Sequence, residues 1–307
     1  MLARIFERFT VAPPFEHVAR LTRWDEHVLF TVPVTLLGTG TALYHHATPR
    51  AAPLRVLLVL VANVCAVAFA FMVNDLEDAP DDARDAVRRT RNVIARGELS
   101  RRAGWSWAMA VGALGLALYA LLGRIVLELG AATLALGLLY SWRAVRLKAW
   151  PMVDVLAHVL MLSAFLFFGG YAALGGTLQK AGLLALSVAL ISAYGQFYNQ
   201  LRDYQTDRLA GLHNTASLLG QQGTRGVMWG SLAGGIACLG AALLSGKFPA
   251  VWAIAVALAA PLVWLRRSRD DMRGTPAIDA TGKLQNGAMA LVTSVLASWL
   301  AWALWIR

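Results

Sequence analysis

Six side chains of the 307-residue sequence are spaced to do chemistry together. Asn74, Asp78 and Asp82 recur at intervals of four in VNDLEDAPDD, and Asn199, Asp203 and Asp207 repeat the interval in YNQLRDYQTDRLAG, 125 residues further on. A four-residue step puts the three side chains of each triplet on one face of a helix. Each triplet closes a long apolar run, where neighbouring carboxylates repel one another and are costly beside hydrocarbon. Something positive must belong there. Oxygen donors suit a hard divalent cation such as Mg²⁺, which keeps several waters and is shared with substrate phosphates. No Cys or His cluster with zinc-like spacing competes for that role. One acidic helix end alone reads more simply as a solvated terminus; a matched pair on one side of a membrane does not. Pro80 is expected to end or kink the first helix near Ala79 and to leave Asp82 on a turn.

Between the triplets lies LYSWRAVRLKAWPMVDVLAH, Leu139 to His158. Its Arg143, Arg146 and Lys148 suit a diphosphate, whose oxygens they would neutralise as charge builds on the leaving group. Tyr140 and Ser141 offer further hydrogen bonds. The same three cations also fit the ordinary tendency of basic residues to collect in cytoplasmic loops. Asp154 lies one turn inside the next apolar run, with His158 four residues later on the same face. An ionisable pair at that depth is a candidate for orienting or deprotonating a second substrate; it could equally tie two helices together. Phe71, Tyr194, Phe197 and Tyr198 stand near the acidic residues, where a ring face can stabilise a cation by about 0.5–2 kcal/mol or simply pack.

The elements that must position these groups are membrane spans. The chain is 58% hydrophobic and only 15% charged, which departs from soluble averages. Runs long enough to cross about 30 Å of hydrocarbon are expected at 28–46, 52–73, 104–122, 125–142, 152–174, 181–201, 226–245, 249–265 and 284–306. The first 27 residues mix charges and prolines with no continuous apolar core, so no cleavable signal peptide is expected. Cys65 and Cys238 fall inside expected spans and argue against a disulfide framework. The net charge is +10, and 22 of the 28 Lys and Arg fall in segments on one side of a nine-span layout that starts in the cytoplasm. That asymmetry is topological; no basic domain or aromatic platform stands outside the membrane, so no nucleic-acid partner is expected. The partners expected instead are the lipid bilayer and small substrates.

Four segments resemble the UbiA superfamily of intramembrane prenyltransferases. NDLEDAPDD fits its first acidic signature and DYQTD its second. RNVIARGELS, from Arg91 to Ser100, looks like the stretch that follows the first, and LYSWRAVRLKAWPMVD like its YSxxxxRLKxxPxxD segment. Val93 stands where the family usually has proline, Trp142-Arg143-Ala144 replaces a frequent diproline, and His213-Asn214-Thr215 occupies a stretch often written Lys-Arg-Thr. The resemblance implies a single domain, 1–307, built as a bundle of nine transmembrane helices around a central cavity with cytoplasmic cap loops. It implies that Asn74, Asp78, Asp82, Asp203 and Asp207 hold Mg²⁺ against an isoprenyl diphosphate, with Asn199 supporting. It further implies that Arg146, Lys148, Tyr140, Ser141 and, less directly, Arg23 and Arg91 grip the diphosphate. The allylic ester would ionise, and an unidentified acceptor, oriented by Asp154 and His158, would capture the cation. The Ala-, Leu-, Gly- and Arg-rich composition suggests a bacterial plasma membrane.

Rival readings remain at this stage. Cyclisation of the same cation needs no acceptor. Phosphoalcohol transfer also uses acidic helix ends, but its DGxxAR-type stretch is absent. An ion-coupled transporter would place its polar groups near mid-membrane, whereas these acids sit at the ends of spans.

Overall fold

A computed structural model describes residues 13–46, 51–209 and 211–305. The first twelve residues, and the expectation that they carry no cleavable leader, lie outside the described residues, as do Arg4, Arg8, Arg50 and Arg307 of the charge count.

The described chain is helical, with a single isolated β-bridge between Asp270 and Pro276. A short amphipathic helix α1 (Pro13–Thr22) leads into α2 (Trp24–His45), α3 (Ala52–Asp82) and a short α4 (Ala86–Arg91). Next come α5 (Arg101–Leu122), α6 (Arg124–Ser141) and α7 (Val153–Ala173). The second half comprises α8 (Gly182–Arg202), the short α9 (Tyr204–Leu209), α10 (Thr215–Leu244), α11 (Ala250–Leu265) and α12 (Gln285–Trp305).

Seven of the nine expected spans are helices long and apolar enough to cross a membrane; the chain is an integral membrane protein. The other two are also helices. α8 has 21 residues, but its last turns carry Gln196, Asn199, Gln200 and Arg202, and α11 has only 16 residues. Large apolar side chains such as Leu57, Leu121, Leu258 and Trp305 are exposed on the outside of the bundle, a surface that only lipid satisfies.

The helix end expected near Ala79 is corrected: α3 continues through Pro80 to Asp82. Proline costs most where it deletes an interior hydrogen bond; here it sits in the last turn, and Ala83 N still reaches Ala79 O at 3.0 Å. The break falls in the second copy instead: α8 stops at Arg202 and Asp203 caps it, with Asp207 N bonding back to Asp203 O at 2.9 Å. Another irregularity lies in α7, where residues Leu160–Ala164 form one π-helical turn. It turns Met161, Leu162 and Ser163 toward the interior cavity, and such bulges recur at functional sites.

Close backbone approach and one polar node hold the bundle. A Cβ on Gly38 of α2 would collide with the Phe167 carbonyl of α7, and one on Gly170 would lie 2.8 Å from Thr35 O. Without a hydrophobic drive between helices in lipid, such small-residue contacts supply much of the packing. Nearby, Asn63 donates to Thr35 Oγ1 (2.8 Å) and Leu166 O (3.1 Å) and accepts from Tyr119 OH (2.7 Å), joining α2, α3, α5 and α7 with no buried donor left over. We predict that Gly38→Ala forces α2 and α7 apart and costs about 1–3 kcal/mol. The check is a thermal-unfolding scan in detergent, where an unchanged midpoint would contradict this close packing.

Candidate active site

The bundle encloses a cavity of about 1010 Å³, bordered by residues of α2, α3, α6, α7, α8, α10, α11 and α12. Its character changes along its length. Toward one end it is apolar, lined by Leu37, Leu243, Phe248, Val292 and Leu296 among others; at the other it is crowded with charge. Because α3 ends and α8 ends at that same face, the two acidic triplets meet there. Asn74, Asp78, Asp82, Asn199, Asp203 and Asp207 all border the one cavity.

A basic or amide group pairs with each in-frame acid separately. Lys148 Nζ donates to Asp78 Oδ2 at 2.5 Å and to Asn74 Oδ1 at 3.0 Å, and Ser141 Oγ donates to the same Asn74 oxygen at 3.0 Å. Asn92 Nδ2 donates to Asp82 Oδ2 at 2.9 Å and to Asp75 O at 2.8 Å. Arg202 straddles Asp203 with two 3.1 Å bonds, while Arg88 of α4 crosses to Asp207 at 2.9 Å. Burial raises the Asp203 carboxyl, but the hydrogen bonds and charge of Arg202 outweigh it and hold that group below the usual carboxylate range. At Asp207 the balance reverses: burial, reinforced by the nearby Asp203 charge, exceeds the pull of Arg88 and pushes it up.

The off-frame acids explain why the first motif holds five carboxylates. Glu77 is buried and accepts from Arg101 (2.7 Å) and the Arg143 backbone (3.0 Å), and Asp81 takes Arg143 (2.8 Å) and Arg146 (3.3 Å). They clamp the 143–151 loop onto the end of α3. Asp75 holds Arg23 at 3.2 Å, and Arg23 also forms a two-bond fork with Glu26 (2.9 and 2.6 Å) and lies 5.0 Å from the Phe71 ring centre. Arg23 and Arg146 both adopt left-handed backbone angles, φ 49°, a conformation that costs a side-chain-bearing residue about 1–2 kcal/mol. Two strained cations at one mouth are the kind of stored strain found at functional sites.

Each expected site residue can now be placed. Arg23, Arg91, Tyr140, Ser141, Arg146, Lys148 and His158 border the cavity with the triplets, Arg91 at its exposed rim. Tyr140 accepts from Gln196 at 3.0 Å and faces the His158 ring, centroids 6.5 Å apart. Phe71 and Tyr194 also line the cavity; Phe197 and Tyr198 do not, and Tyr198 instead accepts from Ile278 N at 3.0 Å. Asp154 is corrected: it is fully buried and outside the cavity lining, and it forms no bond to His158. Its oxygens accept from Gln200 Nε2 (2.6 Å), Thr215 N (2.8 Å) and the Thr215 hydroxyl, so it ties α7 to α8 and to the start of α10.

Sequence reasoning missed Arg88, Asn92 and Asn214, the last donating to Asp207 Oδ2 at 3.2 Å. Asn92 is the second residue of the RNVIARGELS stretch, and Asn214 is an N-cap, bonding Ser217 N at 2.9 Å; both were within reach of pattern reading. Among the described residues, no three Asp, Glu, His or Cys side chains close on one point as a complete metal cage would. The donors nonetheless suit a cation that takes one or two carboxylates and fills the rest with water and phosphate. Asp78 Oδ1 is buried without a hydrogen bond.

With this fold and this mouth in view, comparison with known proteins is decisive on family. The UbiA prenyltransferase family model matches residues 31–287. The chain belongs to that family and is a membrane prenyltransferase. Among its relatives, a digeranylgeranylglyceryl phosphate synthase of Methanopyrus kandleri is 30% identical over 245 residues, covering 80% of this chain and 76% of that one. A lycopene elongase/hydratase of Haloarcula japonica is 30% identical over 174 residues, 56% and 57% of the two chains. The structure of a UbiA homologue from Archaeoglobus fulgidus bound to GPP and Mg²⁺ superposes with a TM-score of 0.72 at 22% identity, over 93% of this chain and 98% of that one.

The placement of Asp154 makes a separate prediction. Asp154→Ala strips a buried acceptor from four donors, Val155 N among them, and costs roughly 1–3 kcal/mol, read as a lowered unfolding midpoint. Asp154→Asn, which keeps the shape, retains most of the turnover. Turnover abolished in Asp154→Asn at an unchanged midpoint would restore the residue to the chemistry.

Proposed function

We propose that the protein transfers an isoprenyl group from an isoprenyl diphosphate to an acceptor inside the membrane, with Mg²⁺ as cofactor. The observation that carries this reading is the meeting of two distant acidic triplets and Lys148 at the charged end of one otherwise apolar cavity. Asn74, Asp78, Asp82, Asp203 and Asp207 are the residues that would hold the metal, with Asn199 beside them. The chemistry a bound Mg²⁺ supplies is neutralisation of diphosphate oxygens and of the charge that develops on the leaving group.

The chain's own residues do the rest. Lys148 and Arg146 are the diphosphate's basic partners; each already carries the charge-assisted contacts to Asp78 or Asp81 that an incoming diphosphate would share or displace. The allylic C–O bond breaks with its electron pair leaving on the diphosphate. The acceptor's nucleophile bonds to the allylic carbon and its proton is released. Phe71 and Tyr194 offer ring faces to the positive carbon, and the apolar walls keep water away from it. Tyr140, Ser141 and His158 border the same space and can orient the acceptor.

Cavity depth bears on the donor. From Asn199 down to Ser187 the lining of α8 descends about 18 Å at 1.5 Å per residue. At about 1.2 Å per extended bond, that holds three to four isoprene units. The charge asymmetry of the loops supports a cytoplasmic mouth, the composition a bacterial plasma membrane, and the matched triplets an ancestral repeat within one domain.

The test is purified protein with Mg²⁺ and prenyl diphosphates of five to thirty carbons, with and without acceptors. Turnover peaks at fifteen to twenty carbons and is abolished by EDTA. Asp78→Asn and Asp203→Asn each lower kcat at least roughly a hundredfold with the unfolding midpoint retained; full activity in both variants refutes the assignment. Lys148→Ala raises KM for the diphosphate about tenfold or more, and an unchanged KM removes that residue from the site.

A further inference from the structure

Among the described residues, one cation of the cavity, Arg273, has no part in the diphosphate chemistry above. Arg273 lies on the 266–283 segment between α11 and α12 and borders the cavity. Its main chain is firmly held. Asp271, itself buried, accepts from Arg273 N (2.9 Å), Thr275 N (3.2 Å), Thr275 Oγ1 (2.9 Å) and Arg202 Nη1 (2.9 Å), and Asn286 donates to Asp271 O at 3.2 Å. The side chain is not. Its one carboxylate neighbour among the described ion pairs is Glu26, at 3.7 Å, beyond hydrogen-bond range, and both Glu26 oxygens are already taken by Arg23. A guanidinium carries five donors in a fork that matches a carboxylate or phosphate edge. The side chain is only partly buried, and a fixed loop that presents such a fork to a cavity is a preorganised anion receptor.

We propose that Arg273 receives an anionic head group on the prenyl acceptor, so that the acceptor bears a phosphate or carboxylate and is not a bare hydrocarbon. This rests on the prenyl-transfer reading above and narrows it. The two relatives diverge on this point, since one is named for a glyceryl phosphate and the other for lycopene. Burial, with the like charges of Arg202 and Arg23 close by, draws Arg273 down to about 10, which leaves it charged at neutral pH. Lys148 and Arg146 make their contacts to the first acidic motif, whereas the ion-pair neighbour of Arg273 is Glu26. An acceptor anion at Arg273 therefore need not compete with the diphosphate for those cations.

The experiment uses the full-length protein in detergent with Mg²⁺. Binding of a non-ionisable thiolo analogue of geranylgeranyl diphosphate is measured by calorimetry. Turnover is measured with three acceptors: a geranylgeranyl glyceryl phosphate, a hydroxybenzoate and lycopene. Wild type uses one or both anionic acceptors and not lycopene. Arg273→Gln raises KM for the anionic acceptor at least roughly tenfold, changes kcat little and leaves the affinity for the diphosphate analogue as it was; Arg273→Lys recovers part of the loss. Efficient use of lycopene, an unchanged acceptor KM in Arg273→Gln, or lost affinity for the diphosphate analogue in that variant would each overturn the proposal. Failure of wild type to bind the diphosphate analogue strikes the prenyl-transfer reading itself, and this proposal falls with it.

Discussion

The structure depends on how a cluster of carboxylates is kept from tearing itself apart at the edge of a bilayer. Two like charges 4 Å apart repel by roughly 4 kcal/mol at the effective dielectric typical of protein surfaces. The in-frame acids avoid this by taking separate partners: Asp78 has Lys148, Asp82 has Asn92, Asp203 has Arg202 and Asp207 has Arg88. These partners come from three separate places in the sequence, so pairing the acids draws the 84–100 and 143–151 loops and the end of α8 to one mouth. The same pairing leaves the site ready for exchange, because contacts between basic and acidic side chains are what a metal–diphosphate pair would redistribute.

The membrane sets the second constraint. Every buried backbone group must be satisfied within the protein, which permits helices and closed packing and little else at depth. Gly38 and Gly170 bring α2 and α7 into backbone contact, and Asn63 joins four helices through hydrogen bonds that use both ends of its amide. Irregular backbone at the mouth and in the π turn of α7 borders the cavity. There it aims cavity residues, and Arg23 and Arg146 hold strained angles. Rigid helices thus carry the apolar part of the cavity, and two of its cations, Arg23 and Arg146, sit on strained backbone.

Much of this was legible in the residues alone. Long apolar runs announce spans because lipid tolerates nothing else, and the interval of four announces a shared helical face. The positions of the breaks were not legible. Pro80 looks like a helix terminator, but the hydrogen bond it forfeits lies in a final turn that was about to end anyway. The joint at Asp203 has no comparable sequence mark. Asp154 beside His158 looks like a catalytic pair because four-residue spacing is visible. Its true partner, Thr215, is 61 residues away and is chosen by tertiary packing. Arg88 was hidden for the same reason, as one of several arginines in a basic loop until the fold selected it for Asp207. Arg273 was hidden most completely, since only the loop's fixed backbone and the prior claim of Arg23 on Glu26 distinguish it from its neighbours.

The central claim is that two acidic motifs, remote in sequence, act on one diphosphate. Its most direct test is an experimental structure of the protein with Mg²⁺ and a thiolo prenyl diphosphate. The account predicts density for the diphosphate between the two motifs, with at least one metal ligand from Asn74, Asp78 or Asp82 and at least one from Asp203 or Asp207. Metal and diphosphate held by one motif alone, or bound outside this cavity, would contradict it.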